Sequence, residues 1–257
     1  MIQTPHQPRK RFGQHFLHER GIIAKIIRTI DAKSGDRIVE IGPGLGALTV
    51  PLLEAVGRLE VVELDRDVIP RLQERCEGLG ELVVHPGDAL RFDFTALAAG
   101  GRLRLVGNLP YNISTPLLFH LLDHADAIVD MHFMLQREVV DRMAAGAGDD
   151  AYGRLSVMLA PRCTVEPLFT VGPGAFTPPP KVESAVVRLV PFAAPPFPLP
   201  DPARFAAIVN QAFSRRRKTL RNALQGLVDA DAIAAAGLDP AERPENVSPE
   251  AFARLAL

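Results

Sequence analysis

The chain has 257 residues, of which 47% are apolar, a formal net charge of −1 and only two cysteines. This length and apolar content support one full α/β domain with a smaller second domain, and the cysteine count excludes a scaffold held by disulfides. Cys76 and Cys163 do not have the spacing of metal ligands or of a redox pair, so we predict no metal site. The polar, basic start and the lack of an apolar run of about 18 residues predict a cytoplasmic protein without a membrane partner.

Short apolar runs and amphipathic stretches alternate from Asp36 to about Pro191. This alternation is typical of an α/β fold, a mostly parallel sheet with flanking helices. One amphipathic helix is predicted before it, from Glu19 to Ile30. The seven predicted strands are RIVEIG, LEVVEL, ELVVH, LRLVGN, AIVDMHFML, LSVMLAPRCTVE and ESAVVRLV. The helices between them are predicted to begin near Leu45, Asp67, Ser114 and Glu138.

A proline-rich segment, PFAAPPFPLPDP, separates this region from the end of the chain. Because so many prolines disfavour a helix or a central strand, it is predicted to be a stiff linker. The predicted organisation is a first domain over 1–192, a linker over 193–202 and a second domain over 203–257. Only helical patterns follow the linker, over 203–213, over 215–228, near Asp231, and after Ser248 with Pro249 in the first turn. The second domain is therefore predicted to be all-α.

The first strand runs into a glycine-rich turn, Gly42-Pro43-Gly44-Leu45-Gly46, and then into a helix. Glycines allow the chain to turn sharply there and let its backbone approach a ligand closely, which indicates a cofactor loop. Gly42, Gly44 and Ala47 also match the dinucleotide pattern. The turn alone does not distinguish a nicotinamide cofactor from S-adenosylmethionine.

An acidic residue lies near the end of each of the first three strands; Glu40 favours S-adenosylmethionine, whereas Glu63 suits either cofactor. Glu40 lies two residues before the turn, where a carboxylate would repel a pyrophosphate but favours an ammonium and a sulfonium group. Glu63 ends the next strand, about 20 residues beyond the first glycine, where it can accept hydrogen bonds from both ribose hydroxyls. Asp88 follows the third strand and is placed to accept a hydrogen bond from the adenine amine of the cofactor.

The tetrapeptide Asn108-Leu109-Pro110-Tyr111 ends the fourth strand, at the crevice where open α/β sheets bind ligands. An exocyclic aromatic amine is a poor nucleophile because its lone pair is delocalised into the ring. Asn108 Oδ1 and the Leu109 carbonyl are predicted to accept its two N–H groups and so direct the lone pair at a methyl group. Pro110 fixes the backbone, and Tyr111 offers a ring on which an adenine can stack.

Transfer in such a site is direct displacement and requires no catalytic base, so none of the seven histidines is assigned a catalytic role. Phe176, in a loop stiffened by prolines, is predicted to cover the flipped adenine on the face opposite Tyr111, with packing in the core as the alternative.

Basic residues cluster at both ends of the chain although the net charge is small. Arg9, Lys10 and Arg11 lie near the start. Such a basic patch can contact a polyanion such as a nucleic acid; the alternative interpretation is a helix face that is simply solvated. The later cluster consists of Arg215, Arg216, Arg217, Lys218 and Arg221.

Motifs along nearly the whole chain closely resemble those of the ribosomal RNA adenine dimethyltransferase family, specifically its bacterial small-subunit members. The motifs are RKRFGQHFL, VEIGPGLGALT, VELDRD, GDAL, GNLPYNISTPL, MHFMLQREVVDR, AYGRLSV, FTPPPKVESAVVRL and FSRRRKTLRNAL. The resemblance implies an S-adenosylmethionine-dependent methyltransferase fold with a small helical C-terminal domain. It also implies dimethylation of the N6 amines of two adjacent adenosines in the 3′ terminal hairpin of 16S rRNA, during assembly of the small ribosomal subunit.

The resemblance also implies roles for individual residues. His15 and Leu17 would help to cover the cofactor, and the later basic cluster would grip RNA phosphates. Many members have Asn in place of His15, whose imidazole can also donate and accept hydrogen bonds. We expect a monomer that acts on an assembled subunit. The residues that would contact the cofactor directly are Gly42, Glu63, Asp88 and Asn108.

Three alternatives remain at this point. A large-subunit RNA adenine methyltransferase has the same chemistry, but FSRRRKTLRNAL and FTPPPKVES favour the small subunit. A ribosome-assembly or transcription factor without catalysis conflicts with the intact Glu63, Asp88 and NLPY. A nicotinamide oxidoreductase is favoured only by the glycine turn and Glu63.

Overall fold

A computed structural model of the chain describes residues 15–215 and 217–257. Its strands are β1 Phe16–Leu17, β2 Ile38–Ile41, β3 Arg58–Glu63, β4 Glu81–Pro86, β5 Leu103–Asn108, β6 Ile128–Gln136, β7 Cys163–Val171, β8 Phe176–Thr177 and β9 Ser184–Pro191. Its helices are α1 Arg20–Ile30, α2 Thr49–Val56, α3 Ile69–Cys76, α4 Phe94–Ala98, α5 Ser114–Asp123, α6 Arg137–Ala144, α7 Arg154–Leu159, α8 Pro202–Ser214, α9 Leu220–Ala223, α10 Ala230–Ala235 and α11 Pro249–Arg254.

Two compact units share the chain. The first extends to Arg137 and resumes over Glu166–Pro191, and the second comprises Glu138–Val165 and Phe192–Leu257. The predicted boundary near residue 192 is one of the points where the chain passes between the units. However, 138–165 had been predicted to belong to the first domain.

Among the described residues, the main sheet has seven strands in the order β4-β3-β2-β5-β6-β9-β7. The neighbouring strands β4, β3, β2, β5 and β6 are all parallel to one another, and β9 runs antiparallel to β6. The carboxyl ends of β2, β3 and β5 therefore lie at one edge, where ligands bind in open α/β sheets. The predicted mostly parallel sheet with flanking helices is confirmed.

Side-chain hydrogen bonds at both ends hold helix α1 in position. The Glu19 carboxylate caps it by accepting the backbone N–H groups of Gly21 and Ile22 at 3.0 and 2.6 Å. At its other end, the Arg104 guanidinium donates to the Ile30 carbonyl at 2.7 Å and to Asp130 at 2.9 Å. Because Arg104 and Asp130 belong to β5 and β6, these bonds fix the end of α1 to the sheet.

A two-stranded sheet lies beside this framework. Strand β1 pairs antiparallel with β8, so that Phe16 lies opposite Thr177 and Leu17 opposite Phe176. This pairing was not predicted, because a strand of two residues is too short to show a periodicity. It fixes the backbone that precedes α1.

Two predicted elements were wrong. The run LSVML, predicted as the first half of a strand, is helix α7, and the strand begins only at Cys163. Four of its residues are nearly fully buried, and periodicity cannot separate a short buried helix from a strand. Among the described residues of the helix predicted over 215–228, only Leu220–Ala223 are helical, because Thr219 is extended and Gly226 has φ of 85°.

The second unit encloses its own core, which explains why it includes 138–165. Tyr152 is fully buried, donates to the Val247 carbonyl at 2.7 Å and packs its ring against Phe213. Val157 of α7 belongs to the same apolar cluster as Phe205 of α8. Composition does not change across 138–165, so only these distant contacts assign the segment.

Candidate active site

A cavity of about 730 Å³ opens at the carboxyl ends of β2, β3 and β5. It lies within the first unit. The structure brings together there ten residues that the sequence had indicated: His15, Leu17, Gly42, Gly44, Glu63, Asp88, Asn108, Leu109, Pro110 and Tyr111.

The glycine turn forms one side of the cavity. Gly42, Gly44 and Gly46 have φ of 67°, 53° and 83°, in the left-handed region that favours glycine. A Cβ on Gly44 would lie only 3.1 Å from the Phe16 ring. The turn therefore needs glycine both for its backbone conformation and for its close approach to the segment before α1.

Glu63 ends β3 with its carboxylate facing this turn. Its Oε2 accepts the Gly44 N–H at 3.2 Å, and its Oε1 accepts the Asp65 N–H at 2.8 Å. Burial raises the pKa of Glu63, and these backbone hydrogen bonds oppose the shift. Each carboxylate oxygen has a second lone pair, so both can accept one more hydrogen bond from a ligand hydroxyl.

Glu40 lies in the same cavity and is almost completely buried. The pKa of Glu40 is raised to about 8, chiefly by burial and to a smaller extent by the charge of Glu63. A 2.6 Å hydrogen bond from the Thr49 hydroxyl opposes this rise in the pKa. Two buried acids side by side favour a ligand with positive charge, because a cation would stabilise both ionised forms. This chemistry fits the ammonium and sulfonium groups of S-adenosylmethionine.

Replacing Glu40 with glutamine is expected to stabilise the free protein at alkaline pH. The pKa of Glu40 is about 8 in the folded protein and 4.5 in the unfolded chain, so the folded protein binds the proton more tightly. The stability that this binding contributes is complete below pH 4.5 and is lost as the pH rises through about 8. The variant should therefore exceed the wild type by roughly 2–4 kcal/mol in unfolding free energy at pH 8, and by little at pH 4.5. Urea unfolding at both pH values measures this difference.

Glu54→Gln, which changes an exposed acid on α2, is the matched control and should leave the pH dependence as in the wild type. An equal loss of stability with rising pH in wild type and Glu40→Gln would show that Glu40 is ionised in the native protein.

Asp88 follows β4 and lies in a tight turn. Its Oδ1 accepts the Leu90 N–H at 3.0 Å, which fixes the carboxylate while the residue lines the cavity. A carboxylate held in this way is a directed acceptor for an amine.

The Asn108–Tyr111 turn is held in place by hydrogen bonds on both sides. The Leu109 N–H donates to the Met134 carbonyl at 3.1 Å, and the Ser114 hydroxyl donates to the Tyr111 carbonyl at 3.1 Å. Asn108 Nδ2 donates to the His15 carbonyl at 3.0 Å. Because the amide nitrogen is used in this way, Asn108 Oδ1 is left as an acceptor.

Tyr111 is in contact with two side chains. Its hydroxyl hydrogen-bonds to Ser184 Oγ at 2.7 Å, and its ring stacks against His15 with 5.6 Å between centroids and 28° between planes. Burial raises the pKa of Tyr111, so its hydroxyl stays protonated at neutral pH. The ring of Tyr111 is therefore held at its edge and faced by an imidazole.

Phe176 does not line the cavity. It is 2% exposed and belongs to the apolar cluster of the first unit, whereas its neighbour Thr177 lines the cavity. Phe176 therefore packs in the core, as the alternative interpretation expects. Its ring would have to leave that core to stack on an adenine. A loop position alone does not reveal which way a ring faces.

The later basic cluster belongs to the second unit. Arg215, Arg217, Lys218 and Arg221 are exposed, and Arg216 lies outside the described residues. The Arg215 guanidinium donates to the Asn222 carbonyl at 3.4 Å. The early cluster, Arg9 to Arg11, also lies outside the described residues.

Three further residues that contribute to the site were not predicted from the sequence. Arg75 lines the cavity and donates to the Leu45 carbonyl at 2.8 Å, which secures the glycine turn. Leu64 lines it as an apolar side chain that is 50% exposed. Ser184 holds the Tyr111 hydroxyl across 73 positions of sequence. Leu64 follows Glu63 directly and so was open to prediction, whereas Arg75 and Ser184 carried no local signal.

Three features together define the class of protein: the strand order, the glycine turn beside buried acids, and the Asn-Leu-Pro-Tyr turn after β5. They describe an S-adenosylmethionine-dependent methyltransferase. Across residues 15–215 and 217–257, no group of three or more His, Cys, Asp or Glu side chains is arranged to hold a metal ion. Within the same residues, no helix has the length and apolar character needed to cross a membrane.

The chain belongs to the ribosomal RNA adenine dimethylase family, whose model matches residues 5–257. It is 57% identical over 255 residues to a ribosomal RNA small subunit methyltransferase A of Pseudomonas putida, covering 99% of this chain and 96% of that one. Solved structures agree. A dimethyladenosine transferase from Plasmodium falciparum has a TM-score of 0.81 and 30% identity, covering 94% of this chain and 96% of that one.

A 23S rRNA methyltransferase, ErmE, is also similar, with a TM-score of 0.74 and 26% identity over 94% of this chain and 98% of that one. These similarities confirm the family, the fold and the enzyme class that the sequence motifs had predicted.

Proposed function

We propose that this enzyme transfers methyl groups from S-adenosylmethionine to the N6 amines of two adjacent adenosines in the 3′ terminal hairpin of 16S rRNA, during assembly of the small subunit. The observation that carries the proposal is the Asn108–Tyr111 turn, which opens onto the same cavity as the glycine turn and its buried acids. The 57% identity to a protein named as a small-subunit methyltransferase supports the choice of target. The proposal includes action in the cytoplasm as a monomer.

The cavity residues fit the methyl donor. Glu63 and Asp88 offer directed acceptors for ribose hydroxyls and an adenine amine, and Glu40 favours positive charge. His15 and Leu17 close the cavity beside the glycine turn. When bound, S-adenosylmethionine supplies an electrophilic methyl group on a positively charged sulfur.

The catalytic turn orients the nucleophile. Asn108 Oδ1 and the Leu109 carbonyl accept hydrogen bonds from the two N–H groups of the target amine, which directs its lone pair away from the ring and toward the methyl group. Tyr111 holds the flipped base by stacking. The amine loses a proton after the methyl group has moved, so no residue is assigned as a base.

The basic cluster of the second unit, in which Arg215, Arg217, Lys218 and Arg221 are exposed, supplies charge for RNA phosphates. Replacing Arg215, Arg216 and Arg217 with alanine is expected to weaken small-subunit binding and to lower the slope of log affinity against log salt concentration by about 2, given roughly 0.7–0.9 per phosphate contact. Binding titrations at several salt concentrations measure the slope. The triple lysine variant keeps the charge and should keep the slope, whereas an unchanged slope in the alanine variant would make the cluster a solvated surface.

The similarity to ErmE provides a second candidate, methylation of adenine in 23S rRNA. One experiment separates the two. The protein is incubated with labelled S-adenosylmethionine and unmethylated small subunits, with large subunits in parallel, and the modified nucleosides are identified by mass. Dimethyladenosine in the small subunit alone supports the proposal, label in the large subunit supports the second candidate, and tight binding without transfer to either favours an assembly factor.

A further inference from the structure

The loop between β4 and α4, residues 87–93, carries the acceptor proposed for the adenine amine of the cofactor. Asp88 shapes the turn in this loop, because its Oδ1 accepts the Leu90 N–H at 3.0 Å and its carbonyl accepts the Arg91 N–H at 2.9 Å. Both bonds are internal to the loop, so its position depends on contacts with other elements. The loop residues that line the cavity are Gly87, Asp88, Ala89 and Leu90.

Hydrogen bonds at both ends attach the 87–93 loop to neighbouring elements. At its start, the Gly87 N–H donates to the Glu63 carbonyl at 2.9 Å. Near its far end, the Phe92 carbonyl is bonded to Nε2 of His120, in α5, at 2.9 Å. Because a carbonyl oxygen can only accept, His120 carries a proton on Nε2 and is the donor.

Aromatic contacts hold the imidazole of His120 in this orientation. The fully buried Phe94 ring meets it edge-on with 6.1 Å between centroids, and the His124 ring does so at 4.9 Å. His124 lies one turn further along α5, and its Nδ1 bonds to the Thr95 hydroxyl at 2.7 Å. One face of α5 therefore holds the 87–93 loop through His120 and helix α4 through His124.

Helix α5 is anchored independently of the loop. It begins directly after the Asn108–Tyr111 turn, and its first residue, Ser114, donates to the Tyr111 carbonyl at 3.1 Å. The bond from His120 thus fixes the loop that carries Asp88 relative to the turn proposed to orient the target amine. Four leucines of α5 are buried in the core: Leu117, Leu118, Leu121 and Leu122.

We propose that His120 is a positioning residue for the methyl donor, because it holds the 87–93 loop where the Asp88 carboxylate can meet the adenine amine of the cofactor. The inference rests on the proposed function, which assigns that amine to Asp88. Without the bond the end of the loop is released, while α5 and the Asn108–Tyr111 turn keep their own contacts. The affinity for S-adenosylmethionine should therefore fall, and the rate of transfer at saturation should not change.

Calorimetric titration with S-adenosylmethionine tests this role, with thermal unfolding to establish that each variant is folded. His120→Phe keeps a ring beside Phe94 and loses the donor, so its Kd should rise about fivefold, the effect of one hydrogen bond. His120→Gln keeps a donor near the position of Nε2 and should stay within about twofold of the wild type. Thr95→Val is the matched control, because it removes the bond between His124 and α4 only, and it should also bind within about twofold.

A double-mutant cycle with Asp88→Ala separates positioning from a general loosening of the structure. Asp88→Ala alone should raise the Kd at least about tenfold, since it removes a charged acceptor. If His120 acts through Asp88, adding His120→Phe to that variant should raise the Kd by less than about twofold more. The kcat for small subunits at saturating S-adenosylmethionine should stay within about twofold of the wild type in His120→Phe.

Four results would overturn the inference. They are a wild-type Kd in His120→Phe, an equal rise in His120→Gln, an equal rise in Thr95→Val, and a full fivefold rise when His120→Phe is added to Asp88→Ala. If Asp88→Ala itself binds as the wild type does, the assignment of Asp88 fails and this inference with it. If the wild type binds S-adenosylmethionine but does not methylate small subunits, the proposed target fails, and the Kd values still decide the role of His120.

Discussion

Asn108→Ala is expected to lower the rate of methyl transfer by about 10³-fold, because removal of one preorganised hydrogen-bonding group from an active site has an effect of this size. The amide connects two parts of the site. Its nitrogen donates to the His15 carbonyl, and its oxygen is the acceptor that we propose for the target amine. Alanine removes both functions, while Leu109 keeps its own bond to the Met134 carbonyl, so the turn should persist.

Single-turnover transfer to unmethylated small subunits is the measurement, with circular dichroism and thermal unfolding to establish that the variant is folded. Asn210→Ala, which removes an exposed amide on α8, is the control and should react at the wild-type rate. Asn108→Asp keeps an acceptor but loses the donor to His15, so it should retain more activity than alanine. Transfer by Asn108→Ala at the wild-type rate would disprove the orienting role of the amide.

Glu63→Ala should weaken binding of S-adenosylmethionine by about 100-fold, the effect of losing two hydrogen bonds to a charged acceptor. The carboxylate lies at the end of β3 with both oxygens directed by backbone N–H groups, one of them from the glycine turn. The substitution therefore removes the ribose acceptors and also leaves the Gly44 N–H without its partner. Both consequences act on the same cavity.

Calorimetric titration with S-adenosylmethionine measures this change. Glu63→Gln keeps one acceptor and is expected to fall between the wild type and alanine, while Glu54→Ala changes an exposed acid on α2 and should bind as the wild type does. Unchanged affinity in Glu63→Ala would remove this residue from the cofactor site.

Several features of the site were predictable because they depend on neighbouring residues. A parallel strand that ends in a glycine turn places its ligand at the carboxyl edge, and this rule assigned Gly42, Glu63, Asp88 and Asn108 to one cavity. The chemistry of an exocyclic amine then gave the turn after β5 a specific role. The pKa of Glu40, by contrast, depends on how completely the folded chain excludes water, which no pattern of residues states.

Short buried elements were predicted poorly for a related reason. The run LSVML has the composition of a strand and the burial of a core segment, and it is the helix α7. Whether such a run becomes a helix or a strand depends on the elements that pack around it. The same packing placed 138–165 with the C-terminal helices, although the proline-rich linker is the only boundary visible in the composition.

The sequence by itself determined the α/β class, the positions of most main strands along the chain, the glycine turn, the acids at the ends of β3 and β4, and the family. These depend on periodicity and on turn residues, which act over a few positions. The tertiary structure decided that Phe176 is buried and that His15 faces Tyr111. The contacts that fix His15, to Asn108 and to Pro178, span 93 and 163 positions of sequence, and only the folded sheet brings those residues together.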